Sequence, residues 1–221
     1  MKTYKDITFT TDVTVYVDWG DSNNIKYPKG TITGTPKGPV KIRTAEDIKT
    51  LKFTGNAIQT ASILSGYTLE NMNQAFINHT NLRTFGFVGA NNIKNWESTW
   101  EGCTGLKTWR VDSLNNGNNF NRTFYGCSGL EAIEMFNSKN GTAFNSTFMN
   151  TGLRCIGLVD TTKQISTLNM FTNTDLNKPD NLEILTILDG TRWFSQDNCP
   201  NCSEGVVLNE TNIPTIFPGG D

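Results

Sequence analysis

The feature that most constrains this sequence is a repeat of 24 residues in the middle of the chain. Aromatic residues recur at steps of 24, and once of 23, at Phe76, Trp100, Phe124, Phe148 and Phe171. Three complete copies cover 72–85, 96–109 and 120–133, and two altered copies follow. A fixed period of this length predicts short structural units that stack on one another and bury a shared core.

Each copy ends in the phrase Leu-x-x-apolar-x-apolar, for example Leu82/Phe85/Phe87, and Ile48/Leu51/Phe53 looks like an earlier, degenerate copy. The alternation indicates a half-buried strand. The aromatic-x-x-small-aromatic stretch before it suits one or two helical turns, ended by Gly102 or Gly126. One short helical turn and one strand per repeat are typical of leucine-rich repeats, whose parallel strands stack ~4.8 Å apart.

The phrase Phe124-Tyr-Gly-Cys-Ser-Gly-Leu-Glu-Ala-Ile133 resembles the BspA-like leucine-rich repeats of bacterial surface proteins, including the mycoplasma-type lipoprotein variant. The resemblance covers roughly residues 48–188. It implies an α/β repeat fold, a leucine-rich-repeat solenoid with one parallel sheet, short helical turns and a β-rich N-terminal cap. Members of that family are mostly non-catalytic adhesion or display modules, and similar repeats occur in phage-encoded structural proteins.

Three regions follow from these patterns. Residues 1–47 are predicted to form a β-rich N-terminal cap, because Ile7-x-Phe9 and Val13–Val17 alternate as strands do. The turn in Val17-Asp-Trp-Gly-Asp-Ser is similar to that of PKD-like β-domains. Residues 48–188 hold the repeats, and residues 189–221 are predicted to form a C-terminal cap or tail, since stacked repeats need polar ends.

Composition excludes several classes of function. The net charge is −2, which argues against a broad electrostatic footprint for nucleic acid or anionic lipid. No stretch approaches the ~20 apolar residues of a transmembrane helix, so we expect no membrane insertion. His79 is the single histidine, and no nucleophile set or phosphate-binding glycine loop is present. The sequence therefore predicts a protein that is not an enzyme and uses no cofactor.

Three clusters could hold a metal ion, and for each a structural role is the simpler interpretation. His79, Cys103 and Cys127 share one position of the repeat. A linear column without a carboxylate, however, places its ligands poorly for the tetrahedral coordination of zinc. We expect these three residues to form a structural column, with the cysteines packed as small hydrophobes. Asp18, Asp21 and Asn23 could offer oxygen ligands to calcium, but they lack the spacing of a calcium loop, and turn formation explains them.

Cys199-Pro-Asn-Cys202 has the spacing of half a zinc site or a redox dithiol, although a tight turn with a local disulfide is the favoured interpretation.

The predicted sheet has an outward face, made of the residues between the buried apolar ones. Its first half is polar, and Arg110 is expected beside Glu134 as a cross-strand pair. The outward residues of this half are Thr50/Lys52/Thr54, Thr84/Gly86/Val88 and Thr108/Arg110/Asp112. Its second half is largely apolar, which marks either an interface or a surface covered by the C-terminal tail. The candidate binding residues of this apolar half are Ala132, Phe136, Val159, Ile184 and Leu188.

These observations favour a non-enzymatic structural or binding protein that displays a rigid repeat surface to protein partners in a larger assembly or to a host surface ligand. The intact Met1 and the missing leader favour a phage virion component, associated with capsid or tail. A bacterial cell-surface adhesin, located outside the cell, is the alternative. A glycan-active enzyme is a remote alternative, with Glu134 and Asp112 as its carboxylate pair.

Overall fold

The computed structural model describes residues 4–159, 166 and 168–174, together with the backbone of two short strands at 185–188 and 207–208. These residues form thirteen strands and one three-residue 3-10 helix, Ala90–Asn92. The strands are β1 (Ile7–Thr11), β2 (Val15–Asp18), β3 (Asn24–Tyr27), β4 (Gly30–Gly34), β5 (Lys41–Arg43), β6 (Leu51–Thr54), β7 (Thr60–Ile63), β8 (Thr84–Phe87), β9 (Thr108–Val111), β10 (Ala132–Asn137), β11 (Cys155–Val159), β12 (Leu185–Leu188) and β13 (Val207–Leu208).

The N-terminal part consists of two antiparallel three-stranded sheets, ordered β4-β1-β6 and β3-β2-β5. The predicted strands around Phe9 and Val15 are confirmed as β1 and β2. Alternate residues of these strands point inward, so that Phe9, Val15 and Val17 are fully buried. Thr10 and Tyr16, which follow Phe9 and Val15, are exposed, as the period of 2 in a strand requires.

In the repeats, equivalent residues stand beside one another in parallel register. Strands β7, β8 and β9 pair with a step of 24 residues, so that Thr60, Thr84 and Thr108 form one row. Isolated parallel bridges join Asn71 to Asn95 and continue at the same step to Ala143, after which the bridge to Ser166 has a step of 23. The 24-residue period of the sequence is thus the period of backbone pairing.

The predicted α/β leucine-rich-repeat solenoid is nevertheless wrong. The fold is β-rich, and the 3-10 helix at Ala90–Asn92 is the only helix in the described part of the chain. The parallel strands also do not form one sheet, because β7-β8-β9 and β10-β11-β12-β13 are separate.

The expected helices are absent from the described repeats because alternate backbone N–H groups bond to the next repeat, and those between them form only three-residue turn bonds within their own segment. The N–H groups of Gln74, Phe76 and Asn78 donate to carbonyl oxygens of residues 97, 99 and 101, at 2.7–2.9 Å. An α-helix would direct these donors to carbonyls four residues earlier. A residue inside each segment, before its last one, is also left-handed and interrupts a right-handed helix. These residues are Gln74, Ser98, Arg122, Ser146 and Asn169, with φ between 52° and 56°.

The core consists of stacked aromatic columns. The rings of Trp100, Phe124 and Phe148 lie 5.1 and 5.5 Å apart and within 10° of parallel. Phe120 and Phe144 stack at 5.1 Å in a second column. These contacts confirm the alignment that the sequence period predicted for them, and aromatic pairs at such distances stabilise a core beyond the area they bury.

A buried threonine ladder joins the repeats beside these columns. Its members are Thr99, Thr123 and Thr147, which are at most 1% exposed. The Thr123 hydroxyl lies 2.7 Å from the Phe120 carbonyl oxygen in its own repeat and 3.0 Å from the Trp96 carbonyl oxygen in the preceding one. Each buried hydroxyl is therefore satisfied by backbone acceptors, as burial of a polar group requires.

The beginning of the repeats differs from the sequence prediction. Strand β6, which contains Leu51 and Phe53, pairs antiparallel with β1 of the N-terminal part. The strand that lies 24 residues before β8, and pairs with it, is β7 and not β6. Phe53 still belongs to the stack, because its N–H donates to the Ala75 carbonyl and its ring stacks on Phe76 at 4.9 Å. Strand β6 therefore connects the two parts of the chain across the predicted boundary at residue 48.

Apart from the backbone of β13, which pairs with β12 in parallel, the predicted C-terminal cap at 189–221 lies outside the described residues. None of the helical structure in the described part of the chain has the length and apolar character needed to cross a bilayer.

Candidate functional site

The structural column of His79, Cys103 and Cys127 lies in the core, and each of the three residues is 0% exposed. The Cys103 thiol donates to the Phe76 carbonyl at 3.0 Å, and the Cys127 thiol donates to the Trp100 carbonyl at 2.9 Å. Both cysteines are free. Each thiol therefore links its own repeat to the preceding one, which is a structural role.

Burial also sets the protonation state of the column. It raises the pKa of the Cys103 thiol to about 12 and that of Cys127 well above the ordinary value. Burial lowers the pKa of His79, whose Nδ1 lies 3.2 Å from the Ile77 carbonyl. Protonated thiols are poor nucleophiles and poor metal ligands. Across the described residues, no group of three His, Cys, Asp or Glu side chains is placed to hold a metal ion.

The Asp18 and Asp21 carboxylates form a turn. One Asp18 oxygen accepts N–H groups from Gly20, Asp21 and Ser22 at 2.8–3.1 Å, and these bonds lower its pKa. Asp21 pairs with Lys37 at 2.7 Å. The bonds match the turn chemistry that the sequence indicated. Cys199 and Cys202 lie outside the described residues.

The apolar face predicted around β10 requires a correction. Ala132 is exposed, but Phe136 is 0% exposed and packs against Phe120 and Phe148 at 5.3 and 5.2 Å. The cause is a register shift, in which Ile133 pairs with Ile156 but Phe136 pairs with Leu158. The extra residue in β10 turns Phe136 inward, as a β-bulge does.

The other predicted binding residues, Val159, Ile184 and Leu188, have side chains outside the described part of the structure.

The structure brings together a different surface, on the outward face of β7-β8-β9. Gly86 lies in the central strand between Ser62 and Arg110 of the neighbouring strands. Because Gly86 has no side chain, these residues line a cleft of about 390 Å³, which Leu64 and Val88 also border. We call this region, with Tyr67, the cleft face. The sequence correctly predicted that Gly86, Val88 and Arg110 face outward, but the apolar patch was predicted on later strands.

The cleft face carries large exposed apolar groups. Leu64 is 79% exposed, Tyr67 53% and Val88 45%. The sequence signal was present in the 24-residue step from Leu64 to Val88, but the incorrect register at β6 placed Lys52 and Thr54 in this part of the face instead. Correct pairing of β7 with β8 is what reveals the patch.

Asp112 fixes the loop beside the cleft face. Its carboxylate accepts N–H groups from Gly89 at 2.7 Å and Ala90 at 3.1 Å, where Gly89 has a φ of 88°. Both carboxylate oxygens are therefore used to hold backbone. Glu134, the other carboxylate of the enzyme alternative, lies on β10 in a separate sheet, and its side chain is outside the described part.

Comparison with family models, with curated proteins and with solved structures finds no match. The similarity to BspA-like repeats thus rests on the sequence motif, and the function has to be argued from the surfaces themselves.

Proposed function

We propose that this protein is a non-catalytic structural or binding protein that contacts a protein partner through the cleft face. The observation that carries the proposal is the pair of exposed residues Leu64 and Val88 that border the cleft at Gly86, with the exposed Tyr67 beside Gly89 on the adjoining loop. Large apolar side chains grouped on the surface are typical of protein interaction sites. Aromatic residues such as Tyr67 are also enriched in the centres of interfaces.

The backbone beneath the cleft face supports this proposal. Strands β7, β8 and β9 are held in continuous parallel register. The Asp112 carboxylate fixes the loop at Gly89 and Ala90. A rigid surface loses little conformational entropy on binding, which favours affinity.

The non-catalytic part of the proposal rests on the structural roles that the chemically reactive residues have in the fold. The Cys103 and Cys127 thiols and His79 are buried in the structural column. The Asp112 carboxylate is used as a backbone acceptor. A general acid or base needs a proton-transfer group within reach of a substrate, and the roles of these residues leave none of them in that position.

Within this class we propose a phage virion component as the setting, with a bacterial cell-surface adhesin as the alternative. Both settings are predictions from the sequence motif, and both call for a rigid display surface. They differ in the partner, which is another particle protein in the first case and a host surface molecule in the second.

Crosslinking in the source organism tests the proposal. A photo-crosslinking amino acid replaces Leu64 on the cleft face or, as a control, the exposed Thr10 on β1. We expect one recurrent protein adduct at position 64 and not at position 10, and at least tenfold less co-purification of that protein with Leu64→Asp. Identical adducts at both positions, or unchanged co-purification, would refute it.

The same experiment separates the alternatives. A capsid or tail protein as the adduct supports the virion, and a host surface protein supports the adhesin. Release of reducing sugar ends from glycans by the full chain, abolished by Asp112→Asn, would overturn the non-catalytic proposal.

A further inference from the structure

The outward face of the N-terminal sheet β3-β2-β5 carries an unusual row of side chains. Tyr16 is on the central strand, where its neighbours Val15 and Val17 are fully buried and Tyr16 itself is 41% exposed. The strand register places Lys26 directly beside Tyr16 on one side and Arg43 directly beside it on the other. We call these three residues the cationic row.

Both cations of the cationic row are exposed and without an ion-pair partner among the described residues. The Lys26 ammonium lies 5.9 Å from the centre of the Tyr16 ring, at the outer limit of a cation–π contact. Lys41 adds a third exposed cation on the same strand as Arg43. The nearest acidic residue in the register, Asp18, pairs with Lys41 and interacts with it electrostatically, so Lys26 and Arg43 rather than Lys41 carry the positive charge of this row.

We infer that the cationic row is a binding site for an acidic carbohydrate, a chain of sugars that carry carboxylate or sulfate groups. The exposed Tyr16 ring offers a flat apolar surface against which the C–H face of a sugar packs. Lys26 and Arg43 stand two strand spacings apart, about 10 Å between their Cα atoms. An acidic group on each side of the central sugar therefore meets one cation, and the guanidinium of Arg43 can bind it in a bidentate manner.

Single-stranded nucleic acid is the other polyanion that an aromatic residue between two cations can bind. The structure favours it less than an acidic carbohydrate. Proteins that bind single strands stack successive bases on several aromatic side chains along a basic groove. The cationic row has one aromatic residue, on the central strand of a three-stranded sheet. The whole chain has a net charge of −2, so it lacks the wide positive footprint that phosphate backbones require.

This site is separate from the cleft face, because it lies on a different sheet and uses none of the same residues. It therefore stands or falls independently of the proposed protein partner. A chain with both surfaces would attach to an assembly through one and to an anionic glycan coat through the other.

Titration calorimetry on the full chain tests the inference with four probes. The acidic probes are a sulfated heparin-derived hexasaccharide and a galacturonate hexamer, the neutral probe is maltohexaose, and the nucleic acid probe is a dT12 oligonucleotide. We expect at least one acidic hexasaccharide to bind and the neutral one not to bind. No binding of either acidic probe at millimolar concentration would overturn the inference, as would tighter binding of dT12.

Variants assign the binding to the cationic row. Tyr16→Ala should weaken binding of the acidic hexasaccharide at least tenfold, and so should the pair Lys26→Gln with Arg43→Gln. Tyr16→Phe should retain binding because the ring remains. The control pair Arg83→Gln with Lys107→Gln removes the same charge at exposed positions that immediately precede β8 and β9. An equal loss in the control pair would show non-specific attraction and refute the site. All substitutions are on the surface, and unchanged thermal unfolding verifies the fold.

Discussion

The most consequential buried residue is His79, the one histidine of the chain. It is 0% exposed, and its ring packs edge-on against Phe76 at 5.7 Å. Its Nδ1–H donates to the Ile77 carbonyl, whereas Nε2 has no hydrogen-bond partner among the described residues. A proton on Nε2 would thus place a positive charge in an apolar core without an acceptor, which explains why burial lowers the pKa.

This environment predicts a stability that declines in mild acid. Because the folded pKa of His79 is below the unfolded value of 6.5, the unfolded chain binds the proton first. The free energy of unfolding therefore falls as pH drops below that value, by at most about 1.4 kcal/mol per pH unit for one proton. His79→Cys, which installs the residue of the next two repeats, should flatten the slope between about pH 7.5 and about pH 5.5.

Urea unfolding of both chains across this range measures the effect. An equal pH dependence in the wild type and in His79→Cys would contradict the assignment, since no second histidine is present to titrate.

Among the structural elements, the turn that ends each aromatic segment has the most specific requirement. Its last residue is left-handed, with φ between 56° and 74°, at Asn78, Gly102, Gly126, Asn150 and Asn173. Glycine and asparagine are the two residues that tolerate this conformation best. The restriction of this position to asparagine and glycine along the repeats therefore reflects one backbone constraint.

Gly126 is the position at which this constraint can be tested by itself. A Cβ atom there would lie 3.8 Å from its nearest neighbour, the Gly102 Cα atom, so space is sufficient. Gly126→Ala should lower the free energy of unfolding by about 1–2 kcal/mol through φ alone. Gly126→Asn should cost less than half as much, because Asn150 occupies the same position. Urea unfolding followed by tryptophan fluorescence compares the two, and equal losses would contradict the conformational explanation.

The same elements show how far sequence reasoning reaches. The 24-residue period predicted the parallel register and the stacking of Trp100 on Phe124, because both depend on spacing alone. It did not predict that Gln74 and its equivalents are left-handed and bond across repeats, since the local pattern is equally compatible with a helical turn. The bulge that buries Phe136 is likewise a property of strand pairing rather than of the strand's own sequence.

The candidate surfaces follow the same rule. The alternation of apolar residues was sufficient to predict that Gly86, Val88 and Arg110 face outward. The cleft face needed the pairing of β7 with β8, and the cationic row needed the pairing of β2 with β3 and β5. Contacts between distant strands are not encoded in any short window of the chain, so they became visible only in the structure.

For the whole molecule, the central question is how the N-terminal sheets and the repeats depend on each other. Their buried side chains belong to one continuous hydrophobic core. Phe53 is the link, because its ring lies 5.7 Å from Phe9 on one side and stacks on Phe76 on the other. In stacked repeats each unit is stabilised mainly by its neighbours, so the interface at Phe53 determines whether the chain unfolds as one unit.

We expect the wild-type chain to unfold in one cooperative step and Phe53→Ala to unfold in two, at a cost of about 3–5 kcal/mol. Hydrogen exchange with mass spectrometry measures this, by comparing peptides from β1 and β2 with peptides from β8 and β9 in increasing urea. Phe85→Ala is the matched control, since Phe85 is equally aromatic and 1% exposed but is located within the repeats. It should destabilise the chain by a similar amount while the peptides still exchange together. Separate transitions in the wild type would show that the two parts are not coupled. A single transition in Phe53→Ala would show that they are coupled through other contacts.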